Sequence, residues 1–463
     1  MMGENKVLFE VTDVDELLNV EEFVGQKTTD VLHEAFGSRR GTHSKVDDYP
    51  ITPEDYQKTW QEQIEKQGSD VGRSAYIHIP FCRLRCLYCG FFKNFQDSSR
   101  QKSYVNSLLK DIQMSGKAAY CHSSPLKAVY FGGGTPGVLT PTEIKTILSA
   151  LKENLNLAKD CEITFETSVC DLDDDQFAAC LDGGVNRFSL GVQTFDTKIR
   201  QSLGRPDNEE RLRTRLQELT TKQQQAAIVI DLIYGLPGQT REQWQYDLDV
   251  AIDSKIHGLD TYSLNVIPRT ILAQKIAEGS MPPVATRSEQ ADFFVQAIET
   301  LSKKGLRRLS VCHWGRFDLK ERNMYNKLGK GANGRIPFGA GAGGNIDGFR
   351  LRLEPDVDLY EQMIAKGLKP VAFMARRPEH YNLFNQIRES MDQGHLILDG
   401  IDANIKEMLL PLLAAWEQKG FINSARGTLE LTLAGQFWYV ELTQALIDFL
   451  QILQIKLPSS QEL

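Results

Sequence analysis

The chain has no apolar run approaching the roughly eighteen residues that a membrane-spanning helix needs, so no bilayer span is expected. Its opening residues, Met-Met-Gly-Glu-Asn-Lys-Val-Leu-Phe-Glu, place no cationic stretch before an apolar one, so no secretory signal is expected either. A basic excess is also missing. The formal net charge is −8, which offers duplex nucleic acid no electrostatic footprint and makes it an unexpected partner. Cysteine is sparse, 8 in 463 residues, too thin for a disulfide framework without a secretory context. No second C-x2-C or H-x3-H pair follows the one cysteine-rich loop at zinc-finger distance, which argues against a structural zinc site.

Enough apolar residue is present, 41%, for packed cores, and the length exceeds what one core usually carries. Residues 1–72 are mixed: a short helical pattern at Val14–His33, a polar segment Gly37–Pro53, and a Gln/Glu-rich helix ending near Gly68. From Ala75 onward, apolar runs of strand length recur at Ala75–Phe81, Ala128–Phe131, Glu162–Glu166, Arg187–Val192, Ala227–Ile233 and Leu259–Val266. Amphipathic stretches of helix length separate them, at Gln101–Met114, Pro141–Leu155, Asp173–Asp182, Asn208–Thr221 and Arg241–Ile256. Six such β-α repeats predict an α/β fold with a parallel sheet, because parallel neighbours need a crossover. If the sheet closes wholly or partly into a TIM-like (β/α)6 barrel, the chemistry falls at the carboxyl ends of its strands.

The chemistry-bearing residues lie there. Cys82, Cys86 and Cys89 follow the first strand in the run Tyr76-Ile-His-Ile-Pro-Phe-Cys-Arg-Leu-Arg-Cys-Leu-Tyr-Cys-Gly90. They supply three thiolates where a 4Fe-4S cluster takes four, which leaves one iron open to a small molecule. The remaining cysteines, Cys121, Cys161, Cys170, Cys180 and Cys312, read mostly as reduced core thiols, with Cys312 set apart as the one to watch. Reduced thiols and an oxygen-labile cluster point to a cytoplasmic enzyme. After strand two comes Gly132-Gly-Gly-Thr-Pro136, a turn whose missing Cβ atoms let backbone approach a ligand, or simply a tight turn. Glu166, Gln193 and Asp231 end the next three strands, and each alone suits either a helix cap or a shared site.

The spacing C-x3-C-x2-C with an aromatic before the last cysteine resembles the radical S-adenosylmethionine (radical SAM) superfamily. Longer matches are more specific. Tyr76–Cys89, Gly132-Gly-Gly-Thr-Pro, Gly191-Val-Gln-Thr-Phe and Asp231-Leu-Ile-Tyr-Gly-Leu-Pro-Gly-Gln-Thr together resemble the oxygen-independent coproporphyrinogen III oxidase family, over residues 72 to about 445. That family contains the decarboxylating oxidase, haem chaperones and the anaerobic haem-degrading methyltransferases, the anaerobilin synthases. The resemblance implies a partial barrel at 73–280 after a helical extension at 1–72, a substrate-side α/β extension at 281–400, and a winged-helix-like α+β cap at 401–463. The cap's marks are Gly420-Phe-Ile, the turn Ala425-Arg-Gly427 and Leu429–Phe437.

The same resemblance implies a 4Fe-4S cluster on Cys82, Cys86 and Cys89, whose open iron takes the amino and carboxylate groups of SAM. It assigns SAM contacts to Tyr76, Tyr88, Gly133, Gly134, Glu166, Gln193, Arg205 and Asp231, with Arg205 near the SAM carboxylate. A guanidinium suits that post because its planar donors match a carboxylate. A second SAM is implied beside the first, loosely at Asn265-Val-Ile-Pro268. Where the decarboxylating oxidase carries a further cysteine, this chain reads Cys89-Gly-Phe-Phe-Lys-Asn94. Cys312-His-Trp-Gly-Arg through Asn326, then Phe338-Gly-Ala-Gly-Ala-Gly-Gly344, resembles the haem-degrading branch, where such segments line the substrate side. Imidazole ligates haem iron and arginines pair with propionates, so His313 is a candidate catalytic residue and iron ligand; a satisfied polar group is the alternative. The glycine loop is equally a structural turn. The implied activity is anaerobic opening of haem with transfer of a SAM-derived methyl group, giving a linear tetrapyrrole and free iron. Coproporphyrinogen decarboxylation and haem delivery are the alternatives. A low-potential donor such as flavodoxin is the implied electron source.

Overall fold

The computed structural model describes residues 17–37, 43–68, 72–318, 320–330, 334–398, 401–425 and 428–454. The start of the expected helix at Val14 and the turn residues Arg426 and Gly427 lie outside them. The chain divides into two compact units: residues 47–286 with 293–381, and residues 1–46 with 287–292 and 382–463.

The larger unit is built on the expected repeats. Strands β1 (Arg73–Ile79), β2 (Leu126–Gly133), β3 (Leu157–Ser168), β4 (Arg187–Gln193), β5 (Ala227–Tyr234) and β6 (Gly258–Ser263) are adjacent and parallel in that order. Their apolar residues are buried on one side against the crossover helices α1 (Ser98–Gly116), α2 (Pro141–Asn154), α3 (Asp174–Asp182), α4 (Glu209–Thr221) and α5 (Arg241–Asp253). Three of these helices start where the sequence writes a capping box. Thr140 with Glu143, Asp173 with Gln176 and Thr240 with Gln243 each exchange side-chain and backbone hydrogen bonds at the first turn. Each cap is worth about 1 kcal/mol and fixes where the chain leaves the sheet.

The sheet is larger than six strands. After β6 the chain returns in β7 (His313–Gly315), antiparallel to β6. It then adds β8 (Arg335–Phe338), parallel to β1 on the opposite edge. The antiparallel strands β9 (Gly343–Ile346), β10 (Phe349–Leu353) and β11 (Val371–Arg376) follow outward from β8, and Tyr49–Pro50 pairs with β11. With Arg307–Arg308 pairing antiparallel on β7, the described residues form a thirteen-stranded mixed sheet with seven parallel strands at its centre. β1 ends at Ile79 because Pro80 has no N–H for the ladder, and Phe81–Cys82 pairs separately with Asn94–Phe95.

In the smaller unit, the helical pattern expected at Val14–His33 includes, among the described residues, the short helices Glu21–Val24 and Val31–Glu34, with Leu17 also helical. Gly25 breaks it at φ 76°. Both helices are held by C-terminal tryptophans: Trp416 Nε1 donates to the Phe23 carbonyl at 2.8 Å and Trp438 Nε1 to the Val31 and Leu32 carbonyls at 3.0 Å. A three-stranded antiparallel sheet, His395–Leu396, Thr428–Leu431 and Ile422–Ala425, packs with helices Ala403–Lys419 and Tyr439–Gln454 in the winged-helix manner.

Candidate active site

Alternation along β1–β6 sends every second side chain into the lumen of the curved sheet. Register sets them side by side. Tyr76 opposes Tyr130, Glu166 opposes Ser189, Gly191 opposes Asp231, and Asp231 opposes Asp260. Tyr76 and Tyr130 rings stack at 6.2 Å between centroids, and Tyr325 stacks on Tyr130 at 4.5 Å. The Tyr130 hydroxyl hydrogen-bonds Glu166. Burial pushes the Glu166 carboxyl up to about 7 against that bond and the Arg187 charge. Asp231 is raised well above the usual carboxylate range, first by burial and then by the neighbouring Asp260 and Glu166.

At the carboxyl mouth the cysteine loop meets the glycine turn. Cys82 is buried and Cys86 and Cys89 are partly exposed. Thr135 Oγ1 donates to Cys82 Sγ at 3.5 Å and the Phe91 amide to Cys89 Sγ at 3.3 Å. Burial pushes the Cys82 thiol up to about 11, so iron binding there displaces a proton. The glycines are sterically required. A Cβ on Gly134 would stand 2.5 Å from the Phe81 carbonyl oxygen and 3.0 Å from Cys82 Sγ; one on Gly132 would stand 2.7 Å from Glu166 Oε2. Gly133, at φ 115°, presses on the His78 ring, whose Nδ1 lies 3.1 Å from the Tyr76 hydroxyl.

Across the mouth, β4 ends in a bulge. Gly191 pairs with Asp231 but Gln193 pairs with Leu232, so one extra residue is inserted and Gln193 takes φ 68°. That bulge re-aims its side chain, whose Oε1 is buried without a hydrogen-bond partner among the described residues. Beside it, Arg205 donates through Nε to the Tyr88 hydroxyl and through Nη1 to the Gly191 carbonyl, both at 3.0 Å. Tyr88 and Arg205 also hydrogen-bond Cys86. Tyr76, Tyr88, Gly133, Gly134, Glu166, Gln193, Arg205 and Asp231 therefore share one lumen with the three cysteines. The donor set fits a cluster and a polar ligand: three thiolates in one loop, a glycine cradle that any side chain would fill, and an orphaned amide oxygen. Among the described residues no three His, Cys, Asp or Glu side chains converge on a single-ion site, and a cubane spreads its thiolates over separate irons.

His313 is placed differently from expectation. Because β7 runs antiparallel to β6, it carries Cys312–Asn326 from the mouth down to the amino ends of the strands. Glu321 there meets Arg187, the first residue of β4, at 3.0 Å. Glu162 caps Met324 and Tyr325 through their amides at 3.0 and 3.1 Å. This segment is the floor of the lumen, not its substrate side. His313 is 1% exposed, and both ring nitrogens are taken, Nδ1 by Asp260 at 2.6 Å and Nε2 by Glu321 at 3.1 Å. Burial disfavours its charge, yet the two carboxylates outweigh burial and hold the imidazolium up to about 9. Glu321 is held at about 2 against burial by Arg187 and His313. With both ring nitrogens hydrogen-bonded to carboxylates, His313 has the partners of a satisfied polar group.

The glycine run also divides. Gly339, at φ 95°, lies on the His78 carbonyl, where a Cβ would stand 2.6 Å away, and Gly343–Ile346 is strand β9. The Gly339 and Ala340 amides donate to Asp111 and Tyr104 of α1 at 3.3 and 3.1 Å, with Lys369 and Tyr360 completing that buried knot on Asp111. A structural turn accounts for these glycines. Sequence reasoning missed His78, Tyr130, Thr135, Arg187, Asp260 and Glu321. Tyr130 and Thr135 were legible as same-face and next-residue neighbours of the glycine turn; the Arg187–Glu321 pair, far apart in the chain, was not.

Residues 76–251 match the model of the radical SAM superfamily. The chain is similar to the anaerobilin synthase of Escherichia coli O157:H7, 37% identical over 405 residues, which is 87% of this chain and 90% of that protein. It is similar to the heme chaperone HemW of Lactococcus lactis subsp. lactis (strain IL1403), 32% identical over 283 residues, 60% of this chain and 71% of that one. Among solved structures, coproporphyrinogen III oxidase (HemN) from Escherichia coli superposes with a TM-score of 0.70 at 20% identity, covering 86% of this chain and 96% of that one. That match carries the fold.

Proposed function

The chain belongs to the radical SAM superfamily, in the oxygen-independent coproporphyrinogen III oxidase family with the anaerobilin synthases, and from that membership we propose that it opens haem anaerobically. The reaction would transfer a SAM-derived methyl group to the macrocycle and leave a linear tetrapyrrole and free iron. The family's cofactors are a 4Fe-4S cluster and SAM, which when bound supply a 5'-deoxyadenosyl radical by one-electron cleavage of the sulfonium.

The observation that carries the proposal is the convergence of the cysteine loop, the glycine cradle and the Gln193–Arg205–Tyr88 corner on one lumen. Cys82, Cys86 and Cys89 hold the cluster. The Gly133–Gly134 backbone takes the methionine amino end of SAM, and Arg205, already oriented by Tyr88 and Gly191, takes its carboxylate. Glu166 and Asp231 accept or donate to ligand hydroxyls deeper in the lumen, and Tyr76 with His78 backs the cradle. The ionic floor at Arg187, Glu321, His313 and Asp260 closes the lumen below and keeps bulk water from that end. A second SAM near Asn265–Pro268, a low-potential donor, a cytoplasmic location and barrel residues 73–280 served by segments 1–72, 281–400 and 401–463 belong to the same proposal.

Similarity to an anaerobilin synthase over 87% of the chain supports haem as substrate, and Gly90-Phe-Phe after Cys89 speaks against the decarboxylating oxidase. Haem delivery remains the rival from a different class, favoured by the similarity to HemW. SAM with a deuterated methyl group separates them. Label carried into an opened tetrapyrrole supports the proposal; haem recovered intact, with 5'-deoxyadenosine absent, overturns it in favour of delivery.

A further inference from the structure

Cross-strand partners share a face, so the register carries the lumen side of the sheet outward beyond β1. Ser74 lies on that side, two residues before Tyr76. It pairs with Arg335 of β8, Arg335 with Asn345 of β9, and Asn345 with Arg350 of β10. Because β9 runs against β8, its first residue, Gly343, stands at the carboxyl mouth. There Gly343 pairs with Arg352, and Arg352 with Phe373 of β11. The opposite side of these strands is closed, with Leu351, Leu353 and Met374 buried. The lumen side is open: Arg350 and Arg352 are exposed, and Gly343 and Phe373 are partly so. Its charges are unbalanced. Asp48 accepts from Arg350 Nε at 2.5 Å and from Arg377 Nη1 at 2.9 Å, so two guanidinium groups share one carboxylate. Arg352 pairs with no carboxylate among the described residues. The face thus carries two uncompensated positive charges in a chain of net charge −8. Arg350 lies over the Phe373 ring at 4.8 Å, and a Cβ on Gly343 would meet nothing within 4 Å. A Cβ on Gly341, two residues earlier, would stand 3.8 Å from Nε2 of His78, the ring on which the glycine cradle rests.

We propose that Arg352, with Arg350 beside it, is the carboxylate-binding end of the substrate site and holds the two propionates of haem. Gly343 and Phe373 form a flat bed on which the macrocycle runs from those arginines toward the cradle. The inference rests on the haem reading above and deepens it by naming residues that recognise the substrate. Charge selects the ligand: two uncompensated guanidinium charges match a dicarboxylate, and their planar donors engage carboxylate oxygens in pairs. Arg350 is held in place by Asp48 and Phe373, so ordering it costs the ligand little. Reach agrees as well. Three inter-strand spacings separate β10 from β1, about 14 Å in all, a span that a tetrapyrrole bridges from its carboxylates to its far edge. A side chain at Gly343 would stand in that path, and none is present.

The test titrates the reconstituted full chain with haem and with haem dimethyl ester, whose carboxylates are capped, and reads both dissociation constants from the Soret band. The wild type should bind haem about tenfold or more tighter than the diester. Arg352→Gln should erase that preference, weakening haem about tenfold while diester affinity holds. Gly343→Leu changes no charge and should weaken both ligands alike. SAM affinity by equilibrium dialysis should stay at the wild-type value in Arg352→Gln, which shows that the rest of the site is formed. Equal wild-type affinity for haem and diester overturns the proposal, as does an Arg352→Gln variant that keeps the preference or loses both ligands equally. Unaltered binding of both ligands by Gly343→Leu overturns the bed. A wild-type chain that binds neither ligand would instead refute the haem reading on which the inference stands.

Discussion

Replacing His313 with Gln tests the ionic floor. The imidazolium donates to Asp260 Oδ1 at 2.6 Å and to Glu321 Oε1 at 3.1 Å, in a site where the ring is 1% exposed. Its folded value of about 9 stands above the ordinary 6.5. At 1.36 kcal/mol per unit, the difference is about 3 kcal/mol of stabilisation. Because the folded value is the higher one, this stabilisation is complete below about pH 6.5 and is lost as pH rises through about 9. Glu321, held at about 2, does not titrate in that window and adds no slope there. His313→Gln should therefore lower the Tm of the apo protein most near pH 6, and the gap should shrink by roughly 3 kcal/mol-equivalent, on the order of 2 °C per kcal/mol, by pH 9.5. Thermal unfolding followed by circular dichroism across that range reads it directly. A gap independent of pH would show that the ring is neutral and refute the charged floor. A Soret shift in the haem complex on His313→Gln would instead mark His313 as an iron ligand.

Three further outcomes follow from the geometry. Cys82→Ala, Cys86→Ala or Cys89→Ala should each abolish cluster absorption after anaerobic reconstitution and reduce SAM cleavage to background while far-ultraviolet circular dichroism is unchanged; cleavage at wild-type rate would sink the cluster assignment. Gly134→Ala places a methyl 2.5 Å from a backbone oxygen, so SAM affinity should fall about tenfold or more, and an unaltered affinity by equilibrium dialysis would remove the cradle from the account. Glu166 ionises near 7, so SAM affinity should rise between pH 6 and 8 as the carboxylate becomes an acceptor; Glu166→Gln should flatten the profile and cost about tenfold at pH 8, and parallel profiles would contradict this role.

How much of this was written locally in the sequence differs from one end of the barrel to the other. The six parallel strands and their helices were legible because apolar periodicity and capping boxes are short-range signals. The mouth was legible for a related reason: Cys82–Cys89, Gly132–Gly134 and Gln193 sit at strand ends, where topology alone gathers them. The floor was not. Arg187 meets Glu321 only because β7 reverses direction beside β6, and nothing within a few residues of His313 announces an antiparallel turn. Likewise Gly343 and Gly344 read as loop, since strand β9 is imposed by pairing with β10 rather than by its own residues. Gly25 interrupts the N-terminal helical pattern at a point where periodicity continues but the backbone turns left-handed.

The central claim is that this lumen opens haem. The direct measurement is anaerobic incubation of the reconstituted protein with haem, SAM and a low-potential reductant, following the Soret band and analysing products by mass spectrometry. Loss of the band with a methylated linear tetrapyrrole, 5'-deoxyadenosine and S-adenosylhomocysteine is expected. A Soret band that persists while SAM is cleaved would contradict it.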